Sequence, residues 1–276
     1  MAKGPLVTAE QAAGTLVLRV GYRGADFSGF AAQSGRRTVA GELDHALSTY
    51  LRRPVELTCA GRTDAGVHAI AQHVSVPVSE QELALPEHAL MRGFTALLPD
   101  DISVGGIFRA APGFSARFDA LGRSYRYRIC DTAARPVLAW DHSWWLRSHL
   151  DVDAMNESAA CLLGEHDFVS FCKAASAVDK PTCRCVTSLA VSRVQEAGEE
   201  LVAIDISANA FLHSMVRTIA GTLAEVGRGH RDPAWVAEVL AARNRTAAGP
   251  CAPAKGLVFQ NVEYPAGALA PWGLDS

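Results

Sequence analysis

Along most of this chain the apolar residues switch between strand spacing and helical spacing, and that alternation limits the fold more than any single motif does. Residues 16–22 read as a strand, followed by a Gly/Ser-containing loop to about Arg37. Val39, Leu43, Leu47, Tyr50 and Leu51 recur at helical spacing, so 38–52 is expected to be an amphipathic helix. Residues 55–59 and 70–78 read as strands joined by a loop at 61–69; 87–97 reads as a helix and 102–109 as a strand. Beyond residue 120 the same mixture returns, with strands at 124–130, 186–194, 200–208 and 256–264. The helices expected there lie at 151–163, 211–227 and 233–242. Two halves of similar content point to an α+β fold with a largely antiparallel sheet carrying helices on one side. The expected division is 1–14 as a flexible start, 15–112 and 113–264 as the two halves, and 265–276 as a Gly/Pro-containing tail.

Composition narrows the class. The 276 residues are 49% hydrophobic and 20% charged, enough to bury a sizeable core. No stretch is apolar for long enough to span a membrane, and the first residues lack the pattern of a secretory signal, so the cytoplasm is the expected location. Seven cysteines, an odd number without a Cys-x-x-Cys pair, suggest neither a disulfide framework nor a zinc site. The formal net charge is −3, yet only four of the 26 basic residues are lysines, which leaves 22 arginines. These bunch at Arg36-Arg37, Arg52-Arg53 and through Arg117, Arg123, Arg126 and Arg128. A guanidinium suits phosphate and base stacking, and RNA binding asks for a local basic surface, not a basic average.

The densest cluster of reactive groups is Cys59-Ala60-Gly61-Arg62-Thr63-Asp64-Ala65-Gly66-Val67-His68-Ala69. A strand ends there, and a loop with two glycines carries an arginine, a carboxylate and a histidine. It lacks the Gly-Lys-Ser/Thr ending of a phosphate-binding loop and does not pair histidines for a metal. On these residues alone two readings stand: a turn in which Asp64 caps a backbone amide, or a reactive carboxylate on a ligand-approaching loop. His68 reads as a hydrogen-bonded spacer and stays outside the catalytic set. In 211–227, Phe211, Leu212, Met215, Val216, Ile219, Leu223 and Val226 share one helical arc. Ala210, His213, Arg217 and Gly221 fall opposite, a stripe open to close approach by another chain or by RNA, or simply a solvated face. Tyr125 and Tyr127 alternate with arginines as inward-facing strand aromatics would, and Tyr127 is expected in the core.

The 61–69 run strongly resembles the signature loop of the TruA-type tRNA pseudouridine synthases. The similarity covers roughly 15–264 in the expected order, through Leu98-Pro99-Asp100-Asp101-Ile102, Phe114-Ser115-Ala116-Arg117-Phe118, Tyr125-Arg126-Tyr127, Asp167-Phe168-Val169-Ser170-Phe171, Asn209 to Arg217, and Ala254-Lys255-Gly256-Leu257. The resemblance implies a fold of two similar halves with the catalytic cleft between them. It also implies a cofactor-free and metal-free enzyme, working as a homodimer, that isomerises uridine in the tRNA anticodon stem-loop at tRNA positions 38–40. Asp64 would then be the catalytic carboxylate, Tyr125 the active-site ring and Arg217 the partner of the aspartate. Arg62, Arg117 and Leu257, with Tyr125, would contact substrate. The chemistry fits those residue types: a paired nucleotide must be extruded and stacked on something, and a guanidinium keeps a carboxylate ionised.

The chain departs from the family's common residues at Arg23 (often Asp), Ala31 (often Gln), Thr95 (often Asn) and Ser214 (often His), which bears on local RNA contacts. Two rival classes remain at this point. A catalytically inert RNA-binding protein would keep its binding without Asp64, and a nucleoside hydrolase would need a second positioned carboxylate, which the loop does not supply.

Overall fold

The structure, a computed structural model, describes residues 4–176, 178, 181–196 and 198–273. It is a mixed α+β fold with mostly antiparallel strand pairing, in two compact units: residues to 121 together with those from 260 onward, and residues 122–259.

In the first unit, β1 (Gly14–Tyr22), α1 (Val39–Tyr50), β2 (Thr58–Cys59), β3 (His68–Val78), α2 (Glu80–Leu83), α3 (Glu87–Leu97) and β4 (Ile102–Ala110) follow in order. β1 is central, antiparallel to β3 on one side and to β4 on the other, and β2 pairs with β3 through Thr58–Ser75 and Cys59–Val74. The expected strand at 55–59 is thus shorter than its apolar pattern suggested. Thr38 caps α1 by accepting the Gly41 N–H at 3.2 Å, which satisfies one amide that the first turn leaves over. Buried Leu90 and Phe94 form the inner face of α3, where Phe94 meets Tyr50 of α1 at 5.2 Å between ring centres. Arg53, one of the bunched arginines, is buried and ion-paired to Glu82 at 2.7 Å.

The second unit holds β5 (Gly122–Cys130), β6 (Trp144–Trp145), α4 (Val152–Ala159), β7 (Gly164–Asp167), β8 (Cys183–Glu196), β9 (Glu199–Ala208), α5 (Met215–Gly227) and α6 (Trp235–Ala242). β5, β9, β8 and β7 pair in that order, all antiparallel, with the short β6 parallel to β5. On β5 the aromatics do point inward: Tyr127 is fully buried and its hydroxyl donates to the Pro253 carbonyl at 2.8 Å. Arg126 and Arg128 point the other way and are engaged by carboxylates, Arg126 by Asp205 and Glu196, and Arg128 by Glu196. Together with Arg37 on Asp101 and Glu42, these pairs show that much of the arginine bunching is ion-pair scaffolding and not an open basic surface.

Three expectations are corrected here. The helix expected at 211–227 begins only at Met215, because Ser214 sits at φ 61° in the left-handed region, where an L-residue cannot continue a right-handed helix. Residues 210–213 therefore do not extend the arc or the opposite stripe. What remains of that stripe is met by the chain's own backbone: a Cβ on Gly221 would collide with the Pro250 carbonyl. α5 is nonetheless buried on nearly every side, its small residues and threonines included. The second correction concerns the ends. β10 (Leu257–Glu263) is followed by β11 (Ala270–Pro271), which pairs with β4, and Trp272 is buried with its indole N–H donating to the Leu85 carbonyl at 2.8 Å. At the other end, the Gly4 N–H donates to the Arg52 carbonyl and the Ala13 N–H to that of Val78. The 113–121 segment stays with the first unit, since the Ala116 N–H reaches Ser75 Oγ at 3.0 Å and the Leu121 N–H reaches the Glu263 carbonyl at 2.8 Å.

Candidate active site

The loop between β2 and β3 is held from several directions by the first unit. Gln72, fully buried on β3, donates Nε2 to the Gly61 carbonyl at 2.6 Å and accepts the Gly61 N–H at 3.3 Å. The Tyr22 hydroxyl, at the end of β1, shares a 2.8 Å hydrogen bond with Thr63 Oγ1, and the Thr63 carbonyl accepts the Phe30 N–H at 3.1 Å. Burial pushes the Tyr22 hydroxyl's pKa well up, so it stays protonated. Val67 closes the turn by donating its N–H to the Asp64 carbonyl, and Gly66 supplies the left-handed residue at φ 80°.

Two further glycines bring backbone against this loop. Gly29, at φ 99°, lies behind Asp64: a Cβ there would stand 3.1 Å from the Thr63 carbonyl oxygen and 3.4 Å from the Asp64 carbonyl carbon. Gly24 lies under Val67, and a Cβ on it would fall 2.5 Å from the Val67 carbonyl carbon and closer still to its oxygen. The Gly24 N–H also donates to His68 Nδ1 at 3.1 Å. That bond leaves Nδ1 without a proton and puts the ring proton of neutral His68 on Nε2. His68 is buried and hydrogen-bonded.

The residues expected to act fall into two groups. Arg62, Asp64 and Arg117 belong to the first unit, where Arg62 and Arg117 are exposed and Asp64 is half-buried. Both guanidiniums lie near enough to Cys59, at the root of the loop, to draw its thiol pKa down, but burial outweighs them and pushes it up to about 11. Cys59 is therefore a thiol and not a nucleophilic thiolate. Tyr125, Arg217 and Leu257 belong to the second unit. The Tyr125 ring is buried edge-on between Phe211 at 5.1 Å and Phe259 at 4.8 Å, which fixes its orientation. Arg217, near the start of α5, donates Nε to the Ala252 carbonyl at 2.8 Å while the Ala252 N–H returns to the Arg217 carbonyl at 3.1 Å. Leu257 opens β10 and is buried.

Sequence reasoning missed the braces: Tyr22, Gly24, Gly29 and Gln72. Only Gln72 left a signal, as an amide placed among the apolar residues of a strand. Of the departures from common family residues, Thr95 turns its hydroxyl onto its own helix, donating to the Met91 carbonyl at 2.8 Å, and Ser214 supplies the left-handed break before α5. Among the described residues there is no group of three His, Cys, Asp or Glu side chains that could hold a metal, and no helix is long and apolar enough to cross a membrane.

Comparison with known proteins extends this picture. A family model for tRNA pseudouridine synthase matches residues 159–265. The tRNA pseudouridine synthase A of Methylococcus capsulatus is 43% identical over 250 residues, covering 91% of this chain and 89% of its own. That of Streptomyces griseus is 44% identical over 261 residues, covering 91% of this chain and 88% of its own, and that of Aromatoleum aromaticum is 43% identical over 249 residues, covering 90% and 91%. Identity at that level across nine-tenths of both partners places the signature loop and its frame in one lineage: the chain belongs to the tRNA pseudouridine synthase A family.

Proposed function

We infer that the protein isomerises uridine to pseudouridine in the anticodon stem-loop of tRNA, with Asp64 as its catalytic carboxylate. The observation that carries this reading is the fixed loop: a half-buried carboxylate at the start of a turn, in a loop tied down through its backbone by Gln72, Phe30 and Val67 and through the Thr63 side chain by Tyr22. A reactive group needs that kind of framework, because catalysis depends on holding it within a fraction of an ångström of its target. In the reaction the bond between C1′ and N1 breaks, the uracil turns, and C1′ bonds to C5; N1 gains a proton and C5 loses one. Asp64 acts either as nucleophile on the sugar or as base toward it. The family resemblance assigns Arg217 as the partner of the aspartate, a role that suits a guanidinium because it does not lose its charge. The Tyr125 ring, locked by Phe211 and Phe259, stacks on the extruded base, and Arg62, Arg117 and Leu257 contact the nucleotide. The reading extends to a homodimer, as the family resemblance implies, with the cytoplasm as its expected location.

The test is to incubate the purified protein with unmodified tRNA transcripts and map pseudouridine at nucleotide resolution, with Asp64→Ala beside the wild type. Product from wild type alone, with tRNA still bound by Asp64→Ala, is expected. Product from both would overturn the role of Asp64. Binding without product from wild type would favour an inert RNA-binding protein. Sedimentation of the same preparations at micromolar concentration reports the active species, and an active monomer removes the homodimer.

A further inference from the structure

The segment between β4 and β5 displays a phenylalanine to solvent on a tightly fastened turn. Phe118 is 79% exposed. The turn beneath it is closed twice over: the Ser115 N–H donates to Asp119 Oδ2 at 2.7 Å and the Asp119 N–H returns to the Ser115 carbonyl at 3.1 Å. Ser115 Oγ accepts the N–H groups of both Arg117 and Phe118 at 3.4 Å. Ala116, fully buried, anchors the turn to the frame, since its N–H reaches Ser75 Oγ and its carbonyl accepts the Tyr264 hydroxyl at 2.8 Å. Ser75 stands opposite Thr58 in the β2–β3 pair, the hairpin that carries the 61–68 loop. The Arg117 guanidinium lies 5.4 Å from the centre of the Phe118 ring and near enough to Cys59, at the root of that loop, to act on its thiol.

We propose that Phe118 is a stacking platform for an unstacked base of the RNA substrate, with Arg117 beside it for the attached phosphate. An ordered turn that keeps a large ring in water gives up the gain that burial would bring, which makes sense where a ligand supplies the missing contact. A single ring flanked in sequence by charged Arg117 and Asp119 suits the face of one base better than an apolar protein surface. The proposal rests on the reading of the protein as a tRNA-modifying enzyme, because extruding one nucleotide leaves its neighbours without stacking partners.

Pseudouridine formation and tRNA binding would be measured for wild type, Phe118→Ala, Phe118→Leu and Phe118→Trp. Loss of one base–aromatic stack is expected to raise KM and weaken tRNA binding roughly five- to a hundredfold in Phe118→Ala, with kcat near wild type. Phe118→Trp restores both and Phe118→Leu does not, while thermal unfolding stays at the wild-type midpoint in all three. Binding and KM of Phe118→Ala within twofold of wild type overturn the proposal. Equal rescue by Leu and Trp also overturns it, since that marks a generic apolar contact. So does a change in subunit association on sedimentation without a change in RNA binding, which marks a protein interface. If the wild type makes no pseudouridine but Phe118→Ala still loses tRNA binding with Trp rescue, the enzymatic reading fails and the platform stands.

Discussion

Gly24→Ala isolates the positioning of the loop from its chemistry. The added Cβ would lie 2.5 Å from the Val67 carbonyl carbon, against 3.4 Å for the onset of ordinary contact, and its neighbours are backbone atoms that cannot rotate away. Relief requires the Val67 carbonyl, whose oxygen is closer still, to move by at least about 1 Å, and Val67 donates its N–H to the Asp64 carbonyl, so the displacement is handed to Asp64 at the start of the turn. Overpacking of this kind costs about 1–3 kcal/mol of stability. A misplacement of about 1 Å in a catalytic group lowers the rate by roughly a hundredfold. The comparison variant is Gly267→Ala. Gly267 has φ 79° with nothing within 4 Å of a Cβ, so alanine there carries left-handed strain of about 1–2 kcal/mol without pressing on any neighbour. Both variants should unfold at lower temperature by similar amounts. Single-turnover pseudouridine formation on tRNA, measured well below either midpoint, should be lost about a hundredfold in Gly24→Ala and retained in Gly267→Ala. Wild-type rate in Gly24→Ala, or equal loss in both, refutes the claim that this contact sets the position of Asp64.

Trp272→Ala removes an indole that is 3% exposed, donates to the Leu85 carbonyl and carries the Arg109 guanidinium 5.4 Å from its ring centre. It is expected to cost about 3–5 kcal/mol in chemical denaturation, a loss that a loose tail could not show. His73 is held mainly by burial at about pKa 4, below its ordinary 6.5, packed against Phe108 and Tyr264. The folded state therefore refuses a proton that the unfolded chain accepts. The associated stability is complete above about pH 6.5 and is lost as pH falls toward 4, by up to about 3 kcal/mol. Urea titrations at pH 7.5, 6 and 5 should show that decline in wild type and a flatter one in His73→Leu.

How much could be read in advance depended on whether the deciding interaction was local. The helix over 87–97 was legible because Leu90 and Phe94 repeat at its own period and nothing distant competes. α5 was misjudged at its start, since a single left-handed residue, Ser214, leaves no mark in hydrophobic spacing. The arginine bunches looked like a nucleic-acid footprint because the carboxylates that neutralise Arg126 and Arg128 lie on β8 and β9, some seventy residues away. The site divides in the same way. Asp64 stood out through its two glycines and neighbouring His68. The braces are contacts between segments distant in sequence, such as Gly24 with His68 and Tyr22 with Thr63, and no periodicity reports them.

The return of residues 260–273 to the first unit has a consequence for birth on the ribosome. The second unit is one uninterrupted stretch, 122–259, whereas the first is assembled from both sides of it. At about 5–20 residues per second, synthesis of the intervening stretch takes on the order of 7–30 seconds. During that interval β4 has been made but its partner β11 has not, and the pocket for Trp272 stands empty. A translating chain thus completes its later unit before its earlier one, and the strand bearing β4 waits with an unpaired edge. This is the period in which a chaperone would have something to hold.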